Sequence, residues 1–107
     1  MSTLSTHILD ISTGKPAQGV RVHLQQDGKT LATEVTNAQG RIAGFVPSLA
    51  AGRYRLVAEI GEWFSETGRD TLYPCAQIDF VTGETAGEHF HLPFAIAPGG
   101  WSTYRGS

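Results

Sequence analysis

The chain has 107 residues, 40% of them apolar and 17% charged, with a formal net charge of −2. That describes one globular domain, residues 1–107, with room for a single core. It excludes the basic footprint of a nucleic-acid binder, and no apolar run approaches membrane-spanning length. Cys75 is the only cysteine, so an internal disulfide and a zinc cluster of thiolates are both excluded. Met1 to Thr6 carry neither a basic nor an apolar leader segment, and the last residues are not a peroxisomal address. The expected compartment is therefore the cytoplasm.

In chain order, short strands broken by turn signals predict an all-β sandwich. Leu4–Asp10 holds the first strand, and Ser12-Thr13-Gly14-Lys15-Pro16 turns the chain. Val20, Val22 and Leu24 alternate with Arg21, His23 and Gln25, the period of a half-buried strand. Asp27-Gly28 predicts a hairpin turn, after which Leu31, Thr33 and Val35 continue the alternation. Asn37 to Gly40 reads as another turn, with a short strand from Arg41 to Val46. Tyr54, Leu56, Ala58 and Ile60 mark the next strand. Gly61–Gly68 is the helix candidate, with Trp63 and Phe64 toward the sheet and Gly68 as its stop. The last long strands are Cys75–Val81 and His89–Ala97.

The chemistry available to this chain lies in its imidazoles and arginines. His89 and His91 are two apart in a strand and share a face, while Phe90, Leu92 and Phe94 line the opposite, core-filling face. A His-x-His pair with His7 as third ligand is one way to hold zinc, but oriented carboxylates are missing nearby, and no metal or other cofactor is expected. His7 shares its face with Ser5 and Leu9. His23 sits beside Arg21 and Gln25 as solvated surface, and Arg41 follows Gly40 out of a turn. Cys75 begins a strand after Pro74 and reads as a small packed side chain. The chain has neither a Gly-x-Ser-x-Gly elbow nor a phosphate-cradling glycine loop. Imidazoles as acid or base and arginines as anion holders suit attack by water on a polarised carbonyl.

Three segments carry a resemblance. They are Leu4-Ser5-Thr6-His7-Ile8-Leu9-Asp10 with Ser12-Thr13-Gly14-Lys15-Pro16-Ala17, Asn37-Ala38-Gln39-Gly40-Arg41, and His89-Phe90-His91-Leu92-Pro93 running on to Tyr104-Arg105-Gly106-Ser107. Gly68-Arg69-Asp70-Thr71 and Tyr73-Pro74 add to them. The chain resembles the 5-hydroxyisourate hydrolases, the transthyretin-like enzymes of urate breakdown, over nearly its whole length.

The resemblance implies a transthyretin-like sandwich of two four-stranded sheets with one short helix. It implies a homotetramer, a dimer of dimers, with active sites at the interface between dimers. It implies hydrolysis of 5-hydroxyisourate to 2-oxo-4-hydroxy-4-carboxy-5-ureidoimidazoline. Carried over by position, His7, Arg41 and His91 match the catalytic residues. Together with Tyr104, Arg105, Gly106 and Ser107 of the terminal signature, they would bind substrate. His89 belongs to the motif without being catalytic. Two stretches depart from the family pattern, Ala97-Pro98-Gly99-Gly100-Trp101 before the tail and Cys75-Ala76 after Tyr73-Pro74. Neither touches a catalytic position. The alternatives are a small-ligand carrier, the role vertebrate transthyretin plays on this fold, and an interaction module without chemistry.

Overall fold

The computed structural model describes residues 2–45, 48–84 and 87–106. Its strands form two sheets around one apolar core. The first sheet has the order β4-β3-β6-β7, from Lys29–Val35, Arg21–Gln26, Gly52–Ala58 and Ala76–Thr82. The second is built around β1, Ser2–Asp10. Its path is β10-β9-β1-β2, from Gly100–Thr103, Phe94–Ala97, β1 and Lys15–Pro16. Two short strands, β5 (Arg41–Ile42) and β8 (Glu88–His91), also pair with β1.

Period-2 alternation decides what each strand buries. Leu4 and Ile8 of β1 point into the core with Val22, Leu24, Leu56 and Ala58 from the facing sheet. Phe90, Leu92 and Phe94 fill it from the segment beside β1, as expected, and Ile96 joins them. The odd residues of β1, Thr3 through Leu9, are therefore left on the outer face. The Asp27-Gly28 turn forms with both residues at positive φ, 52° and 77°, the primed geometry that matches strand twist.

The helix α1 spans Ile60–Glu66, so Ile60 opens the helix rather than ending the preceding strand. Gly68, at φ 76°, ends it, and the backbone N–H of Arg69 reaches back to the carbonyl of Phe64 at 2.8 Å. Phe64 is fully buried and Trp63 packs at the edge of the core. The strand expected over 89–97 is divided into β8 and β9 at Leu92-Pro93, although its register beside β1 is unbroken, Ser5 opposite His91 and Ile8 opposite Phe94. Proline has no N–H for the ladder, and the Thr6 hydroxyl donates to the Leu92 carbonyl there at 2.6 Å. β5 is shorter than expected, ending at Ile42, and Val46 lies outside the described residues. Leu31 and Val35 stay exposed because β4 is an edge strand whose Ala32, opposite Leu24, takes the inner face.

Arg69 ties the end of α1 to the end of β1. Its guanidinium donates to Asp10 Oδ2 at 2.8 Å and to Ser12 Oγ at 3.0 Å, and lies over the rings of Phe64 and Trp63. Burial pushes the Asp10 carboxyl up, but hydrogen bonds from Ser12 and Arg69 outweigh it and leave its pKa below the usual range. Arg69→Ala would leave that carboxylate, 2% exposed, without its cation. Truncating one partner of a buried pair costs about 3–5 kcal/mol. The 30% exposure of Arg69 places the expected loss below that range, about 2–3 kcal/mol in urea denaturation. An unchanged midpoint would show the bridge to be neutral.

Candidate functional site

The site begins with a turn. Asn37 Oδ1 accepts the backbone N–H groups of Gln39 at 2.9 Å and Arg41 at 3.0 Å, closing the loop on itself. Gly40 sits at φ 73°, and a Cβ there would stand 2.5 Å from the carbonyl oxygen of Ile8. Only glycine permits that approach. It lets the Gly40 carbonyl accept the Ile8 N–H at 2.8 Å, and β5 then pairs antiparallel with β1, His7 opposite Arg41.

On the other edge of β1, β8 runs parallel and sets Thr3 beside His89 and Ser5 beside His91. Thr3, Ser5 and His7 alternate onto the outer face, as do His89 and His91, because Leu4, Thr6, Phe90 and Leu92 point inward. His7, Arg41 and His91 thus converge from three strands on one outer surface. Arg41 and His91 line a cleft of about 330 Å³ together with Ser5, Thr6, Asn37, Ile42, Ala43 and His89. His7 flanks this cleft through its neighbour Arg41.

Burial and neighbouring charge lower the pKa of both His7 and His91. Partial burial, then the charge of Arg41, hold His7 below the ordinary imidazole pKa against an opposing hydrogen bond at the Gln39 backbone. His91 is lowered by burial first, then by Arg41, His7 and His89. Neutral rings beside a guanidinium can take a proton while the arginine faces developing negative charge. Another concavity, of about 220 Å³ at the Asp27-Gly28 hairpin, is lined by the Arg55–Asp79 ion pair and offers no imidazole. His23 belongs to the other sheet, 2.8 Å from Thr33 Oγ1, away from this cluster.

The tail is placed by β10, a strand the sequence pattern did not reveal, which folds back on β9 with Trp101 opposite Ile96. Gly106 then meets β8, its N–H donating to the His91 carbonyl at 2.7 Å. A Cβ on Gly106 would lie 2.6 Å from Cδ2 of the His91 ring. Arg105 pairs with Glu88 at 3.0 Å and caps the Phe90 ring, 4.5 Å from its centroid. In the single chain, Tyr104 and Arg105 do not line the cleft, and Ser107 lies outside the described residues. Sequence reasoning left Ser5 out of the site, although it shares a strand face with His7 and touches both histidines of β8, Oγ to His89 Nε2 at 2.9 Å and to His91 Nδ1 at 2.8 Å.

A two-sheet sandwich with a single short helix among its described residues, and with histidines and an arginine gathered on the outer face of one sheet, is a transthyretin-like protein of the enzyme type. The chain belongs to the HIUase/Transthyretin family, whose model matches residues 4–106. It is similar over the whole of both chains to the 5-hydroxyisourate hydrolase of Klebsiella pneumoniae, with 68% identity and a TM-score of 0.95. It is 44% identical over 110 residues to the 5-hydroxyisourate hydrolase of Salmonella typhimurium, covering 97% of this chain and 80% of that one. Transthyretin from Sparus aurata shares the fold at a TM-score of 0.91 and 24% identity, over 96% and 95% of the two chains. That last likeness concerns fold alone, since one fold hosts unrelated functions.

Proposed function

We propose that this protein is an enzyme that hydrolyses 5-hydroxyisourate to 2-oxo-4-hydroxy-4-carboxy-5-ureidoimidazoline. The observation that carries the reading is the convergence of His7, Arg41 and His91 from β1, β5 and β8 on one cleft. The Klebsiella and Salmonella relatives, 68% and 44% identical, are named as hydrolases of 5-hydroxyisourate. A carrier needs no acid, base or oxyanion holder, whereas this cleft supplies all three.

In this mechanism a neutral imidazole takes a proton from water as its oxygen bonds to a carbonyl carbon of the six-membered ring. Arg41 stabilises the charge that gathers on the carbonyl oxygen. The C–N bond then breaks, the nitrogen receives a proton from an imidazole N–H, and the carbon becomes a carboxylate. Tyr104, Arg105, Gly106 and Ser107 complete the substrate pocket. Arg105 contributes by anchoring the tail through Glu88 and Phe90, and Gly106 by its bond to His91.

The same reading makes the active form a homotetramer, a dimer of dimers, with sites between dimers, working in the cytoplasm. The open, half-exposed cleft supports the assembly, because a symmetry mate would wall it and exclude water. Product formed in ¹⁸O-labelled water while the protein accelerates the decay should carry one label in its new carboxylate, with or without a chelator. An unlabelled carboxylate, or a rate abolished by the chelator, contradicts water attack by these side chains.

A further inference from the structure

Four side chains outside the roles just described, or linking to them, form an unbroken line on the outer face of β1 and β8. Thr3 Oγ1 lies 2.5 Å from His89 Nδ1, His89 Nε2 lies 2.9 Å from Ser5 Oγ, and Ser5 Oγ lies 2.8 Å from His91 Nδ1. Parallel pairing in register brings them together, Thr3 opposite His89 and Ser5 opposite His91. Thr3 and His89 are exposed at one end of the line, and His91 borders the cleft at the other.

Proton counting restricts this line severely. A hydroxyl has one proton to donate, and a neutral imidazole has one N–H and one bare nitrogen. All three bonds can then be made with neutral rings in three ways, because a hydroxyl oxygen can also accept from both sides. In the first, His91 Nδ1–H donates to Ser5, Ser5 donates to His89 Nε2, and His89 Nδ1–H donates to Thr3. His91 Nε2 is bare and can accept a proton. In the second, every bond is reversed, and His91 Nε2 carries a proton it can give away. In the third, Ser5 accepts from both rings and turns its own proton away, with His89 protonated at Nε2 and His91 at Nδ1. The one pairing that cannot make all three bonds is His89 protonated at Nδ1 with His91 protonated at Nε2, since Ser5 would then have to donate twice.

We propose that Thr3, Ser5 and His89 form a proton relay that couples the two tautomers and switches His91 between its base and acid forms. As His91 Nε2 takes a proton from water, the Nδ1 proton passes to Ser5 Oγ and the Ser5 proton to His89 Nε2. The His89 Nδ1 proton passes to Thr3 Oγ1, and the Thr3 hydroxyl proton leaves to solvent. One proton enters, one leaves, and neither ring ends charged. The reverse passage, fed from solvent at Thr3, restores the first state after His91 Nε2 has given its proton to the departing ring nitrogen. The surroundings favour a neutral route. Arg41 and His7 face His91 from β5 and β1, and the Arg105–Glu88 pair stands beside His89 from the tail and β8, with Arg105 3.4 Å from the His89 carbonyl. Burial and the Arg41 charge oppose a lasting imidazolium at His91.

The kinetic part of this proposal rests on the hydrolase reading, but its structural part does not. In substrate-free protein near pH ~8, above the ordinary imidazole range, side-chain ¹⁵N spectra should show a His89 Nδ1–H fraction no larger than the His91 Nδ1–H fraction. Ser5→Ala should lift that limit and let the His89 Nδ1–H fraction exceed that of His91, and Ser5→Thr should restore it. A His89 Nδ1–H fraction above that of His91 in the wild type, or ratios indifferent to Ser5→Ala, overturn the relay. With 5-hydroxyisourate, Ser5→Ala should lower kcat by about 10-fold or more at unchanged KM, as loss of a group that orients a catalytic ligand or base typically does, and Ser5→Thr should recover it. An unchanged kcat in Ser5→Ala overturns the relay. A wild type with coupled tautomers and no turnover would instead refute the hydrolase reading and leave the relay standing.

Discussion

His7→Ala and His91→Ala are each expected to lower kcat/KM for 5-hydroxyisourate by about 10²-fold or more, the scale of general acid–base catalysis. Arg41→Ala should lose about 10²–10³-fold, the loss seen when an oxyanion donor is removed. Arg41→Lys should recover only part of this, because an ammonium lacks the planar fork of donors. The effect should be local. All three residues stand on the outer face of the β1 sheet, outside the apolar core, so circular dichroism should stay unchanged. His23→Ala serves as the control, since His23 bonds Thr33 and approaches Glu59 on the other sheet. Equal losses at His23, His7 and His91 would argue against the assignment.

The pH dependence follows from the same cluster. The base must be neutral to act. Burial and Arg41 lower the pKa of both His7 and His91, so each ring stays neutral to a lower pH than a free imidazole does. The acid limb of kcat/KM should therefore lie below pH ~6.5, the ordinary value. Removing the Arg41 charge should move that limb upward. A wild-type limb above the ordinary value would mean that the titrating group is held charged rather than neutral.

Gly106→Val should be the most damaging single change in the tail. The Gly106 N–H bonds the His91 carbonyl at 2.7 Å, and even a methyl at its Cα would stand 2.6 Å from the His91 ring. The ring is held at Nδ1 by Ser5, so it yields by giving up that bond or by leaving the cleft. Displacing a catalytic group by ~1 Å can cost about 10²-fold, and a fall in kcat of that order is expected. The fold should persist, because Gly106 lies beyond β10 and outside the core. Deleting Tyr104 to Ser107 should likewise remove most activity while circular dichroism still reports the sandwich. Full activity in the truncated protein would separate the tail from the site.

What could be read from the sequence follows from the range of the interactions involved. β1, the Asp27-Gly28 hairpin and α1 were legible because period, turn residues and the Gly68 stop are local signals. Ile60 was misplaced by the same local logic, since its alternation with Ala58 continues unbroken into a helix whose N-terminus has no side-chain cap. β10 was hidden because its pairing with β9 depends on how Pro98, Gly99 and Gly100 turn the chain. The site shows the same division. The shared face of His89 and His91 follows from strand period alone. The pairing of His7 with Arg41 does not, because it depends on the close seat of Gly40 against Ile8, distant in sequence and set by tertiary contact. The resemblance supplied their roles. Ser5 went unremarked because serine on a strand face is ordinary until two imidazoles are brought to it.

The central claim is that this cleft turns substrate over. Fresh 5-hydroxyisourate, generated in place by urate oxidase, decays by itself and can be followed by its ultraviolet absorbance. Protein far below the substrate concentration should accelerate that decay in proportion to the protein added, through many turnovers, and His91→Ala should abolish the acceleration. Decay that is unchanged, or slowed in proportion to protein up to one equivalent as a carrier would slow it, would contradict the account.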